Sequence, residues 1–385
     1  MSDLVQRAAA IAAEVAGACA HAVDRDARFP HESFAALKSA RLLGAMVPRD
    51  FGGEQAGLAD IAGACHALGR ACGSTGLIYA MHQIQVACIV RHGQGSAWHR
   101  GLLERLAAEQ LLLGSATTEA GVGGDVRRSV CALGTDGARF AIDKQASVIS
   151  YGADADGILA TARRAADAPP SDQVITVVMK DDARLVPSDG WDTLGMRGTC
   201  SVGYRLVGSG GLDQILPQPY AEISAQTMLP VTHILWSAVW LGIATEAVAR
   251  ARAFIRAAAR KTPGTMPPGA VRLAETVAGL HQTRAGVADA IRQFEAAADA
   301  DRLSSLSFAV AMNALKVNSA TAAVRAVEGA LLVCGLAGYR NDGPFSLGRL
   351  LRDAHSAALM INNDRILANS AGLLLVDKED TGLFG

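Results

Sequence analysis

Arg352-Asp353-Ala354-His355-Ser356-Ala357-Ala358-Leu359-Met360-Ile361-Asn362-Asn363-Asp364-Arg365-Ile366 is the stretch whose reading decides the fold of this chain. An Arg-Asp pair opens it, small and apolar residues follow, and Asn362-Asn363-Asp364-Arg365 ends the apolar run abruptly. The spacing predicts a helix. A helix of this kind is either a core helix with a solvated end or the wall of a pocket that presents polar chemistry at its edge.

Working outward, the helical period persists through the last part of the chain. Helices are predicted over 230–259, 270–298, 303–336 and 347–375, with the break from Lys261 to Pro268 separating the first two. Long helices with short breaks imply an antiparallel four-helix bundle. Upstream the texture is different. Short β-branched segments at 130–133, 140–142, 148–150, 157–162, 174–179 and 203–206 alternate with Gly and Asp breaks, which predicts a small antiparallel barrel or sandwich. Pro169-Pro170 lies in an expected hairpin loop, and Gly208-Ser209-Gly210-Gly211 reads as a linker leaving this module. Before it, Ala-rich or apolar helical patterns cover 4–23, 32–40, 58–72, 74–91 and 98–112, the fourth with Ser74 as its expected cap. The fold class is therefore α+β in three parts: an N-terminal helical domain over 1–112, a middle β domain over 113–215 and a C-terminal helical bundle over 216–385.

Composition bounds the function. The chain has 385 residues, too many for one compact core, and is 50% hydrophobic but only 5% aromatic. Its net charge of -1 and lack of a basic tract point away from nucleic acid and anionic membrane surfaces. The most apolar stretch, from Leu229 to Ala244, carries Thr232, His233 and Ser237, so no membrane span is expected. Seven cysteines with no C-x-x-C suggest reduced thiols in a cytoplasmic protein and no zinc site.

Thr117-Thr118-Glu119-Ala120-Gly121-Val122-Gly123-Gly124-Asp125 opens the β module. Its glycines let a backbone approach a ligand closely, and successive N–H groups can cradle an anion. In this position it resembles the T-E-P-x-x-G-S-D flavin loop of the acyl-CoA dehydrogenase family. Other segments extend the likeness over nearly the whole chain: Phe29-Pro30, Leu43-Gly44, Val47-Pro48, Phe51-Gly52-Gly53, Leu194-Gly195-Met196-Arg197-Gly198-Thr199, Arg260-Lys261-Thr262-Pro263-Gly264, Gly335, Gly338-Tyr339, Pro344 and Arg352-Asp353-Ala354. The resemblance implies a homotetramer or homodimer that holds FAD between the β domain and the C-terminal bundle. It implies that Thr117 and Thr118 bond the flavin ring, that Gly123 and Gly124 lie near the phosphates, and that Arg260 reaches the pyrophosphate across a subunit interface. An Arg suits that task through charge-assisted contacts to phosphate.

The departures from the family pattern bear on the reaction. The family's loop Pro is Ala120 and its Ser is Gly124. Its W-I-T segment is Val148-Ile149-Ser150, so a stacking ring is lost while Ser150 keeps a hydroxyl for the flavin edge. The Phe of its R-x-x-F-G turn is Pro263, and a Gln near the cofactor is Leu332. The family's catalytic Glu falls at Ile361, and its alternative base position is Thr232, so neither offers a carboxylate. Three functions follow. The first, and the expected one, is dehydrogenation of the CH–CH group of an acyl thioester, on CoA or an acyl carrier protein, with a relocated base; the other two are alternatives. The second is flavin-dependent monooxygenation on the same fold, which needs no base for an α proton. The third is a degenerate binding protein. His82 and His355 are the candidate catalytic groups, each weighed against a plain structural hydrogen bond. A flavin reductase or an electron-transfer protein is the expected redox partner.

Overall fold

The computed structural model describes residues 2–377. The chain opens with α1 (Asp3–Ile11), passes through one π turn at Ala12–Ala16, and continues as α2 (Gly17–Arg25). Phe29-Pro30 then breaks the helix before α3 (His31–Ser39). α4 (Leu58–Ala71), α5 (Gly73–His92) and α6 (Ala97–Glu109) complete the helical domain, and Gln110 stops the last by turning left-handed. Ser74 is not the cap of α5. Cys72 occupies that position and bonds no amide through its side chain, while Ser74 is buried inside the helix. Helix α5 is buried along almost its whole length, polar residues included, because α4, α6 and the later helices enclose it.

The β domain holds β1 (Leu113–Ala116), β2 (Gly134–Thr135), β3 (Arg139–Ile149), β4 (Gly157–Arg163), β5 (Gln173–Met179), β6 (Ala183–Pro187) and β7 (Val202–Gly211). They form two sheets, in the orders β1-β4-β5 and β2-β3-β7-β6. The expected wholly antiparallel pairing needs correction. β1 leaves the helical domain in the direction of β4 and pairs with it in parallel, Leu113 opposite Gly157. Segments 140–142 and 148–149 are one strand, in which Phe140, Ile142, Lys144 and Ala146 all point inward. Segment 130–133 contributes a single bridge, Ala132 to Arg163. Gly208 to Gly211 is not a linker but the end of β7, paired with β3 up to Arg139 opposite Gly211.

After α7 (Tyr220–Ile223) and a π turn at Ser224–Met228, α8 (Leu229–Lys261) runs through the middle of the protein. By length and composition the Tyr220–Lys261 helix is apolar enough to cross a membrane, but 94% of its most apolar window is buried inside the protein. It packs against α4, α5, α9 (Ala270–Asp299) and α10 (Leu306–Cys334). α11 (Leu336–Tyr339), α12 (Gly348–His355) and α13 (Asn363–Leu374) follow.

The expected single helix over 347–375 is therefore two. Arg352-Asp353 closes α12 rather than opening a helix, and the chain turns at Ile361, whose φ is +50°. The pair is a clasp between three regions. Arg352 pairs with Asp24 at the end of α2 and donates to the Leu194 carbonyl at 2.8 Å. Asp353, buried, accepts from the Met196 N–H at 2.7 Å. Gly195 approaches the Arg352 backbone so closely that no Cβ would fit.

Candidate functional site

The glycine loop leaves the end of β1 and is anchored by a residue inside it. Glu119 accepts from the Ser129 hydroxyl at 2.6 Å, the Cys131 N–H at 2.6 Å and the Val130 N–H at 3.1 Å. It also meets the Lys144 ammonium at 3.1 Å, and Lys144 is fully buried. Burial alone would raise the Glu119 pKa, but the Ser129 hydroxyl, Lys144 and the Cys131 amide together bring it below the usual value. Thr118 fastens the same loop to β3, donating to the Val148 carbonyl at 3.1 Å. The Thr117 hydroxyl is half-buried and bonds no protein group among the described residues.

Beyond this anchor the loop is open. Gly121, Gly123 and Gly124 have φ of +91°, +58° and +77°, and a Cβ built on Gly121 or Gly123 meets nothing within 4 Å. Backbone N–H groups in such left-handed turns can converge on an anion. A cleft of about 270 Å³ beside them is lined by Gly121, Val122, Arg128, Ser129, Arg163 and neighbours. Arg365, at the start of α13, donates to the Gly123 carbonyl and lies across Gly124. A cation from the C-terminal helices thus sits on the glycine loop of the β domain.

Ser150 follows β3 and is held by Tyr151, whose N–H bonds the Thr199 carbonyl at 2.8 Å and whose hydroxyl bonds the Leu113 carbonyl at 2.9 Å. The Ser150 hydroxyl lies 2.8 Å from that of Ser201, which lies 2.8 Å from that of Thr199. Thr199 spends its proton on the Met196 carbonyl at 2.9 Å. Ser201 must then donate to Thr199, and Ser150 to Ser201. The chain of hydroxyls therefore leaves Ser150 as an acceptor toward anything on its free side.

The C-terminal wall centres on Lys316 of α10. Its buried ammonium donates to the Ile361 carbonyl at 2.6 Å and to the Asn363 side-chain oxygen at 2.7 Å, and lies 5.7 Å from the centre of the Trp240 ring. No carboxylate pairs with it among the described residues, and burial brings its pKa down to about 8. Ile361 is β-branched and left-handed, a conformation that costs about 1–3 kcal/mol and persists only where the surroundings impose it. On facing α8 the buried His233 Nε2, Trp236 Nε1, Ser237 Oγ and Trp240 Nε1 have no hydrogen-bond partner among the described protein groups. Thr232 is buried and donates to the Met228 carbonyl at 2.5 Å.

The two candidate histidines do not meet at one site. His82 is a core residue: its Nε2 bonds the Leu43 carbonyl at 2.9 Å and its Nδ1 accepts from the Leu113 N–H at 3.0 Å. With both nitrogens occupied and burial lowering its pKa to about 4, it has no atom free for a substrate, which removes it as a catalytic group. His355 is exposed at the end of α12 and has no partner among the described residues. Arg260 is exposed in the last turn of α8 and makes no hydrogen bond or ion pair among the described residues. Sequence reasoning passed over Glu119, Lys144, Ser201, Lys316 and Arg365. The available signal for Lys316 was a cation among the apolar residues of the first half of α10, and for Lys144 a cation on the inward face of β3.

The comparisons with known proteins agree with this architecture. A profile described as "Acyl-CoA dehydrogenase, N-terminal domain" matches residues 2–110, and one described as "Acyl-CoA dehydrogenase, C-terminal domain" matches residues 223–364. The chain belongs to the acyl-CoA dehydrogenase family. Within it, one similar protein is the amino sugar nitrososynthase DnmZ of Streptomyces peucetius, 28% identical over 362 residues, which cover 88% of this chain and 84% of that one. The L-prolyl-[peptidyl-carrier protein] dehydrogenase of Pseudomonas fluorescens is 33% identical over 120 residues, 30% of this chain and 31% of its own. Among solved structures, FMN-bound TdsC from Paenibacillus sp. A11-2 superposes with a TM-score of 0.84 at 19% identity, covering all of both chains. The last likeness concerns the acyl-CoA dehydrogenase fold alone.

Proposed function

We propose that this family member binds a flavin between the glycine loop and the C-terminal wall and works as a flavin-dependent monooxygenase. The observation that carries the reading is the state of the two base positions. At Ile361 the side chain has no polar atom and the carbonyl is already bonded to a buried ammonium, and at Thr232 the hydroxyl proton is spent within its own helix. A desolvated carboxylate, the group suited to removing an α proton, is absent from both. A buried cation instead favours species that gain negative charge during reaction. The nitrososynthase likeness over 88% of the chain supports the same choice.

The residues fit a flavin. Gly121 and Gly123 leave open backbone where phosphate oxygens can approach, and Arg365 supplies charge beside them. Thr117 offers a free hydroxyl, while Thr118 holds the loop to β3 through Val148. Ser150, with its proton turned toward Ser201, accepts a hydrogen bond and so favours a donor at the flavin edge. When bound, the flavin supplies electrons to dioxygen or takes a hydride from substrate. The chain's own part is to bind, to orient, to keep water out and to hold protons at Ser150 and Lys316.

FAD is the proposed form, as the resemblance implies, with a flavin reductase as electron source. Arg260 is proposed to reach the pyrophosphate of a neighbouring copy in a homodimer or homotetramer. The exposed Leu332, Leu336 and Tyr339, 64%, 72% and 74% accessible, support a second copy covering that end of α10. Titration of the purified chain with FAD and FMN, read by flavin fluorescence, tests the cofactor reading: saturable binding of either supports it, and binding of neither refutes it. A second reading, dehydrogenation of an acyl thioester on CoA or a carrier protein, is favoured by the local 33% identity to the prolyl-carrier dehydrogenase and requires a relocated base.

A further inference from the structure

The segment between α12 and α13 is fastened at two points four residues apart. At one end the Ile361 carbonyl is bonded by Lys316, and at the other Arg365 is bonded to the Gly123 carbonyl. Between them the Asn363 side chain is a second acceptor for Lys316, and the Asn362 side chain caps α13 through the Asp364 N–H at 2.8 Å. Ile361 is left-handed although β-branched, and the contact on its carbonyl that opposes this strain comes from Lys316. The lysine itself is buried, meets an aromatic face and has no carboxylate partner among the described residues, so its bonds to this turn are what compensate its burial. An ammonium without a counter-ion, spent on an irregular turn, is costly for a purely structural purpose, because an apolar side chain could fill the same core space.

We infer that Lys316 is a positioning residue: by holding Ile361 and Asn363 it sets where Arg365 meets the glycine loop, and so how tightly that loop holds a phosphate-bearing cofactor. This rests on the flavin reading for the identity of the ligand but not for the coupling itself. The path is short and physical. Lys316 bonds the backbone of residue 361 and the side chain of residue 363, and residue 365 is the next turn-forming residue, its N–H bonding the Asn362 carbonyl at 3.1 Å. Releasing the first contact lets Ile361 return to an ordinary backbone region and rotates the start of α13, carrying the Arg365 guanidinium off Gly123.

The test uses the full chain and two readouts. Hydrogen exchange at Asp364, Arg365 and Ile366, whose amides are all held by Asn362, is followed without flavin. Affinity for FAD and FMN is read by fluorescence. Lys316→Met is expected to speed exchange at those amides while leaving β3 unchanged, and to weaken flavin binding about tenfold to a hundredfold, the size of one or two lost charged hydrogen bonds. Lys316→Arg keeps a cation and is expected to recover most of both, a rescue that mere core filling would not give. In a double variant with Arg365→Ala, Lys316→Met should add almost nothing to the loss of affinity, because both act through one guanidinium. Unchanged exchange in Lys316→Met, or full additivity in the double variant, overturns the inference. If Lys316→Met does not fold, Asn363→Ala removes one acceptor and should speed the same amides; no change there also overturns it. Should the wild-type chain bind no flavin, the cofactor reading falls while the exchange measurement still decides the role of Lys316.

Discussion

Glu119→Gln removes one charge and exchanges one acceptor for a donor at the point where the glycine loop is anchored. The native carboxylate receives a hydroxyl, two backbone amides and an ammonium. The amide that replaces it has a single acceptor oxygen and an NH2 group facing donors. Lys144, which is fully buried, keeps only the Thr161 carbonyl at 2.9 Å and hydroxyl at 3.3 Å. Removing one partner of a buried pair typically costs about 3–5 kcal/mol, and a backbone amide left unpaired adds about 1–3 kcal/mol. Against a domain stability of roughly 5–15 kcal/mol the β module should approach its unfolding threshold at room temperature. Urea denaturation followed by circular dichroism reads the change as an earlier first transition. Exchange across residues 117–133 reads its location. Lys144→Met added to Glu119→Gln should recover only the ionic part, since Ser129, Val130 and Cys131 still face an amide. A loss under about 1 kcal/mol, or full recovery in the double variant, would refute the view that this carboxylate organises the loop.

Three further outcomes are expected. His82→Ala should lower stability by about 2–4 kcal/mol, through an orphaned Leu113 amide and a cavity, yet leave flavin affinity within about twofold; a large loss of affinity with unchanged stability would restore His82 to the site. Arg365→Ala should weaken flavin binding about tenfold to a hundredfold and leave thermal stability nearly unchanged, as calorimetry and fluorescence titration would read. Acid unfolding should take up protons at His66, His82, His92, His99 and His233, each lowered by burial to about 4. Their folded values lie below the unfolded value of about 6.5, so the stability they contribute is complete above pH 6.5 and lost as pH falls toward 4. Potentiometric titration across unfolding near pH 5 should find the unfolded chain binding several more protons, and an equal proton count in both states would contradict these burials.

The helical and β textures were legible because periodicity survives in local sequence, and the glycine loop because its residues are contiguous. What stayed hidden depends on partners far apart in the chain. Ser74 reads as a helix cap, yet α5 already begins at Gly73, where a Cβ would come within 2.9 Å of the Asp353 carboxylate. From Ser356 to Ser370 the chain contains no Gly or Pro, and the carbonyl at the turn, that of Ile361, is bonded by Lys316, 45 residues upstream. The Glu119–Lys144 pair and the Ser150–Ser201–Thr199 hydroxyls likewise arise only when strands and loops come together. His82 misled because the helix beside a pocket and the helix inside a core have the same sequence pattern, and only its two backbone partners distinguish them.

The absence of a carboxylate at both base positions makes the central claim directly measurable. Flavin-loaded protein is mixed without oxygen with a panel of acyl-CoA and carrier-bound acyl thioesters, and the flavin absorbance is followed. The same protein is then reduced by a flavin reductase and exposed to oxygen with amino sugars as probes. The account predicts no bleaching by any thioester in the first experiment and oxygen-dependent appearance of an oxygenated product in the second. Rapid bleaching by an acyl thioester, with release of the unsaturated product, would contradict it and restore the dehydrogenase reading.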